Sequence, residues 1–430
     1  MLIKNVDILS VAQNGVDHSL IKNASIVVNG AKIEKIIDAN TPWQDDNVID
    51  GKGMLAVAGF INTHTHTAMT FLRNYANDMN LQDWLFTKIF PAEDQLTAEM
   101  AYWCVKLANI EMIKSGVTCY CDNYFFMDEA ARSVEETGIR AVLSRSVSGI
   151  SDPTGAKLQE SIDFFKKYHN TCDGRITSTL GAHAIYTSNT EYIKRVVDAA
   201  NEIGSGLQTH LSETKTEFDD CMAQYSMTPT EYLDSLGYFD VEGIKIAAHC
   251  VHLTDDDIAI LKDKDVSVAA NISSNLKLAS GIAPLPKLMK AGVNVTLGTD
   301  GASSNNNLSI LNEMRLTSLI YKGLSMDPTA MNAKEVISLA TSNGARAICQ
   351  NDLGEIREGM IADIVLINTN NPAVAPATEA DAALVYSASG ADVDTVICNG
   401  KVLMQNRNVL TVDEEQTVFE VKRIAKMIVG

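Results

Sequence analysis

Between residues 59 and 350, short apolar runs alternate with amphipathic stretches eight times, and the segments on either side carry shorter runs punctuated by turn residues. These observations predict an α/β protein. Its body is a (β/α)8 TIM barrel over 59–350, and 1–58 joins 351–430 in a small β-sandwich domain formed by the two chain termini. A third observation agrees: polar residues able to do chemistry fall at the ends of the predicted strands, where such barrels carry their sites.

The first segment supplies Leu2–Leu9, Ala24–Val28 and Lys32–Ile37 as strands, separated by turn pairs such as Asn29-Gly30. The barrel strands are expected at 55–63, 117–123, 140–147, 175–183, 206–212, 245–251, 266–273 and 294–299. Helical spacing falls between them at 97–115, 190–204, 254–263, 283–291 and 308–323. After about 351 the β character returns in 354–367 and 393–401, while Pro372 to Ala382 is loop-like. Chain termini commonly lie close together, so both ends are expected in one domain.

With 430 residues, 46% of them hydrophobic, the chain can bury a large core. Its formal charge of −19 argues against nucleic acid and anionic membranes, both of which need cationic surfaces. No window approaches the roughly 20 apolar residues of a membrane span. Met1-Leu2-Ile3-Lys4 does not open a secretory signal, so a cytoplasmic protein is expected. The 8 cysteines sit in apolar contexts and are expected as buried thiols. Cys119-Tyr120-Cys121 is expected as core strand rather than chelator, because no second cysteine pair accompanies it.

Thr63-His64-Thr65-His66 closes the first barrel strand, and residues at i and i+2 of a strand share a face. Two imidazoles on one face are half of a metal site. Of the 8 histidines, His18 and His169 lie in polar surroundings, whereas His64, His66, His183, His210, His249 and His252 all fall at strand ends, with Asp300 after the eighth strand. His64, His66, His210 and Asp300 form a ligand set of three nitrogens and a carboxylate that leaves a position for water. Glu213, three residues past His210, is placed to carry a proton. His249 is suited to hold the attacking oxygen or polarise the reacting carbon, and Asp300 can double as base. His252 is expected in support of the site or in simple packing. Strand 4, Arg175 to His183, has no lysine at its end to bridge two ions, so one metal is expected.

These residues resemble an amidohydrolase-superfamily deaminase, in the branch that holds 5′-methylthioadenosine/S-adenosylhomocysteine deaminases and triazine chlorohydrolases. Gly59 to His66, His210-Leu211-Ser212-Glu213, Ala248-His249-Cys250, Leu297 to Gly301 and Ala362-Asp363 carry the resemblance over essentially the full length. It implies one divalent metal per subunit, zinc before Fe²⁺ or Mn²⁺, and a homo-oligomer. It further implies that Glu93, in Phe90-Pro91-Ala92-Glu93, accepts the ribose hydroxyls. Arg145 would meet a substrate carboxylate, and His183 would contact sugar or purine. The alternatives for two of these are a helix-start carboxylate at Glu93 and a salt bridge at Arg145. Trp84, Phe86 and Phe90 would line the 5′ side or simply pack. The activity implied is hydrolytic loss of the 6-amino group from adenine nucleosides; the alternatives are deamination of another heterocycle (guanine, a pterin or a triazine) or an inactive scaffold.

Overall fold

The computed structural model describes residues 1–430. Strands from both ends of the chain form one nine-stranded sheet. Its N-terminal members are β1 (Leu2–Val11), β2 (His18–Asn29), β3 (Lys32–Asp38), β4 (Val48–Asp50) and β5 (Met54–Ala58). Then come the parallel strands β6 (Phe60–Thr65), β7 (Val117–Tyr124), β8 (Arg140–Arg145), β9 (Ile176–Thr179), β10 (Leu207–Leu211), β11 (Lys245–His249), β12 (Ser267–Ala270) and β13 (Val295–Leu297). The chain returns to the first sheet with β14 (Ile364–Asn368), β15 (Val393–Cys398), β16 (Lys401–Gln405) and β17 (Asn408–Val409). The order there is β17-β16-β15-β14-β5-β1-β2-β3, with β4 also pairing with β1.

The eight parallel strands lie in two four-stranded sheets, β6-β7-β8-β9 and β10-β11-β12-β13. A parallel bridge between Leu180 and Leu207 joins them on one side. On the other, Asp300 N–H donates to His64 C=O at 2.9 Å and Thr63 Oγ1 donates to Leu297 C=O at 2.9 Å. At least one helix follows each strand. Thr190–Ile203 shows why: Ile193, Val196, Val197 and Ala200 fall on one buried face, Asn189 caps the first turn, and Gly204 ends the helix at φ +68°.

One strand boundary differs from expectation. The run 55–63 is two strands, β5 in the terminal sheet and β6 among the parallel strands, broken at Gly59. A Cβ there would lie 2.1 Å from Thr118 Oγ1, so only glycine lets the chain pass between the two sheets. The region after 351 also ends in a helix, Glu414–Ile428, where only β structure was expected. Buried side chains such as Ile3, Ile8, Ile26, Ile364 and Ile397 fill the core of the nine-stranded sheet. Arg140, first residue of β8, ties the two regions together through Asp363 in an ion pair whose side chains are each 4% exposed. All eight cysteines are free, and six of them, Cys119 and Cys121 included, are buried. No helix is long and apolar enough to cross a membrane.

Candidate active site

The ends of β6, β10, β11 and β13 bring four histidines and two carboxylates into one cluster. His66 Nε2 stands 3.1 Å from His210 Nε2 and 3.2 Å from Asp300 Oδ1, while His64 Nε2 lies 3.7 Å from that same oxygen. The opposite ring nitrogens fix the tautomers. His66 Nδ1–H donates to Asn123 C=O at 2.8 Å, and His210 Nδ1–H donates to His183 C=O at 2.7 Å. Each Nε2 is thereby left as a lone pair, and two lone pairs 3.1 Å apart repel unless a cation stands between them. His64 Nε2 is buried and has no hydrogen-bond partner. The donor atoms form two overlapping groups, His64 with His66 and His210, and His64 with His249 and Asp300, a cluster that could hold a divalent ion, with imidazole nitrogen and carboxylate oxygen suited to zinc.

The electrostatics of the cluster agree. Burial and the neighbouring imidazoles hold His64 and His210 far below the usual histidine range. Burial pushes His66 down, but the Asp300 and Asp122 carboxylates and the Asn123 carbonyl around its ring outweigh this and leave it raised, a setting that favours positive charge at its Nε2. Burial would lift Asp300, yet the surrounding histidines pull it well below the usual carboxylate range. Ser274 Oγ at 2.6 Å and Ser304 Oγ at 2.7 Å both donate to Asp300 Oδ2, and Gly301 N–H donates to Oδ1 at 2.8 Å. Asp300 sits at φ 61°, His249 at φ 73° and Ser212 at φ 49°. Non-glycine residues take that conformation only where their surroundings impose it, and three of them at three strand ends mark where the backbone is bent to aim side chains.

Glu213 is 3% exposed and accepts Ser280 Oγ–H at 3.1 Å on Oε1, with Oε2 3.7 Å from His249 Nε2. Burial raises it above the ordinary glutamate value. His249 Nδ1 bonds to Asn275 Oδ1 at 2.7 Å, which leaves its buried Nε2 free on the Glu213 side. His252 stands apart. Its Nε2 donates to Ser280 C=O at 2.9 Å, so it steadies the residue that holds Glu213.

A partly open cavity lies over this cluster. His66, His183, His210, Glu213, His249 and Asp300 line its polar side; Leu81, Trp84, Leu85, Phe90, Phe125 and Leu278 line the apolar one. Glu93 faces the same space, accepts Tyr124 Oη–H at 2.5 Å, and is pushed up to about 7 by burial. Burial drives His183 down to about 3, so it stays neutral, with Nδ1 3.2 Å from Thr187 Oγ1. Trp84 and Phe90 line the cavity but Phe86 does not; it is 49% exposed and edge-on to Phe90. Arg145 is also outside the lining. Its guanidinium pairs with Glu160 at 3.0 Å and lies 5.6 Å from the ring of Phe125, which does line the cavity.

Sequence reasoning passed over Tyr124, Glu217, Asp122 and Glu313. Tyr124 could have been found, since it directly follows the strand expected at 117–123 and ends the observed β7 on the same rim. The three buried carboxylates each take hydrogen bonds from a strand-end segment. Asp122 holds Thr67, Glu313 holds Ser273 and Asn305, and Glu217 holds Ser212 and Glu213.

The chain matches the amidohydrolase family over residues 55–403. It is 44% identical to the 5-methylthioadenosine/S-adenosylhomocysteine deaminase of Caldanaerobacter subterraneus over 432 residues, covering 100% of this chain and 98% of that protein. It is also 44% identical to the enzyme of the same name from Acetivibrio thermocellus, covering 100% and 99%. Among solved structures it is similar to an adenosine deaminase from Xanthomonas campestris with bound zinc, with TM-score 0.91, 28% identity and 99% of each chain covered. The zinc complex of an atrazine chlorohydrolase from Arthrobacter aurescens shares the fold, with TM-score 0.89 and 21% identity over 99% of each chain.

Proposed function

Since this chain belongs to the amidohydrolase family, we propose that it is a metal-dependent deaminase that hydrolyses the 6-amino group of adenine nucleosides. Its candidate substrates are 5′-methylthioadenosine, S-adenosylhomocysteine, 5′-deoxyadenosine and adenosine, each giving an inosine-type nucleoside and ammonia. The observation that carries this reading is the shared cavity. A proton-carrying glutamate beside an imidazole and a ligand set lies at one end, and Glu93 faces the same space as a diol acceptor.

A bound divalent ion, zinc by preference, supplies a Lewis acid that lowers the pKa of water at its open position. The protein's own groups do the rest. Glu213, raised by burial, accepts one proton as water attacks C6 and delivers it to N1, then relays the remaining hydroxyl proton to the amine, so that the C6–N bond breaks, ammonia leaves and a C6 carbonyl remains. His249 Nε2 faces the attacking oxygen and orients it, and the Asp300 carboxylate accepts its second hydrogen bond or serves as base. Glu93 accepts the ribose hydroxyls, and neutral His183 contacts sugar or purine. Arg145 is assigned to a substrate carboxylate, for which it must exchange Glu160.

The two bridged seams between the parallel sheets support a closed (β/α)8 barrel over 59–350. The shared sheet supports a composite terminal domain of 1–58 with 351–430. The eight free cysteines suit a reducing, cytoplasmic setting. A homo-oligomer belongs to the same reading and is checked by mass in solution.

The test is ammonia release, with the accompanying ultraviolet shift, across adenosine, 5′-deoxyadenosine, 5′-methylthioadenosine, S-adenosylhomocysteine, adenine, guanine and cytosine. Turnover confined to the adenine nucleosides supports the assignment and ranks them. Turnover of a free base alone overturns the substrate.

A further inference from the structure

Three carboxylates outside the ligand set are buried behind the cavity, and only one of them grips a residue that moves protons. Glu217, on the helix Lys215–Tyr225, is 3% exposed. Its Oε1 accepts the Ser212 N–H at 3.0 Å and its Oε2 accepts the Glu213 N–H at 2.8 Å. On the other side of the turn, the Ser212 carbonyl accepts the N–H groups of Val251 and His252, both at 3.0 Å. Ser212 itself is left-handed, at φ 49°, and its own hydroxyl has no partner. The bend that turns Glu213 from the end of β10 into the cavity is thus pinned from two sides, and the pin on the Glu213 side is Glu217.

We propose that Glu217 is a positioning residue for proton transfer, acting through Glu213 by holding the two amides of its turn. The proposal rests on the deaminase reading above, in which Glu213 carries the proton. Glu217→Gln preserves size but sets an NH₂ group against one of the two N–H donors, which releases half of the pin. A displacement of about 1 Å in a proton-carrying group costs on the order of 10²-fold in turnover.

The experiment is a cycle of wild type, E217Q, E213Q and E213Q/E217Q, read as kcat and KM for the best nucleoside substrate, together with zinc content, Tm and a crystal structure of E217Q. Wild-type turnover tests the deaminase reading separately. We expect E217Q to lose kcat by about 10²-fold with KM within about threefold and one zinc retained, and to cause no further loss once Glu213 is gone. The crystal structure should show the Glu213 carboxylate moved off Ser280. If E217Q does not fold, E217D, which shortens the reach and keeps the carboxyl group, takes its place. Equal losses in both backgrounds, or an unmoved Glu213, would reduce Glu217 to a structural part and overturn the proposal. Full activity in E217Q would overturn it too.

Discussion

Replacing Glu93 by alanine should erase the distinction between a ribonucleoside and its 2′,3′-dideoxy counterpart. Glu93 Oε1 already accepts the Tyr124 hydroxyl at 2.5 Å, so Oε2 has the free acceptor capacity and Oε1 offers a single remaining lone pair. A hydrogen bond to a charged acceptor contributes about 1.5–3 kcal/mol. One full bond and one weaker, shared bond therefore give about 3 kcal/mol, roughly 150-fold at 1.4 kcal/mol per factor of ten. The assay is kcat/KM for adenosine and 2′,3′-dideoxyadenosine, by ammonia release, on wild type and E93A. Wild type should favour adenosine by about 10²-fold and E93A should treat the two alike within about threefold. The preference should also depend on pH. Burial holds Glu93 up at about 7, so the carboxylate that accepts both hydroxyls forms as pH rises through that value. Discrimination should be small at pH 6 and full at pH 8. An E93A enzyme that still prefers adenosine would refute the reasoning, and so would a wild type that never does.

Dialysis against a chelator should abolish turnover and lower Tm, and zinc should restore both. At an ion concentration of 1,000 times Kd the stabilisation is about 4 kcal/mol, measurable in a thermal scan. Glu160→Gln should release Arg145 from a pair whose carboxylate is 63% exposed and raise kcat/KM for S-adenosylhomocysteine over 5′-methylthioadenosine. Exposed pairs contribute up to about 1 kcal/mol, so the ratio should rise by no more than about fivefold, and an unchanged ratio would take Arg145 out of recognition. Asp363→Asn should cost about 3–5 kcal/mol in urea denaturation, because it strands the buried Arg140 guanidinium, while kcat per folded molecule stays unchanged.

That His64, His66, His210, His249, Glu213 and Asp300 would come together was legible because the fold puts polar residues at strand ends and histidine is rare enough here for its positions to carry information. The run 55–63 misled because apolar character continues across Gly59; what divides it is the Thr118 side chain, which lies far away in sequence. Arg145 could not be placed because its partner Glu160 lies on a helix 15 residues later. Glu217 was hidden by an ordinary signal. Thr214 and Glu217 have capping-box spacing, and Thr214 does cap its helix, but the Glu217 carboxylate reaches past the cap to the two amides before it. A single charge in a sequence looks the same whether water or a buried turn receives it.

The hydrogen bond from Asp300 N–H to the His64 carbonyl joins the two ends of the parallel-strand region, and it sets the order in which the protein becomes competent. Thr65 and Asp300 are 235 positions apart, which at about 5–20 residues per second separates their synthesis by roughly 10–50 s. Throughout that interval the nascent chain holds His64 and His66 without the Asp300 carboxylate they face in the folded protein. A fragment ending before residue 300 therefore lacks the carboxylate oxygen that stands 3.2 Å from His66 Nε2 in the folded chain, and cannot assemble the cluster in its native arrangement.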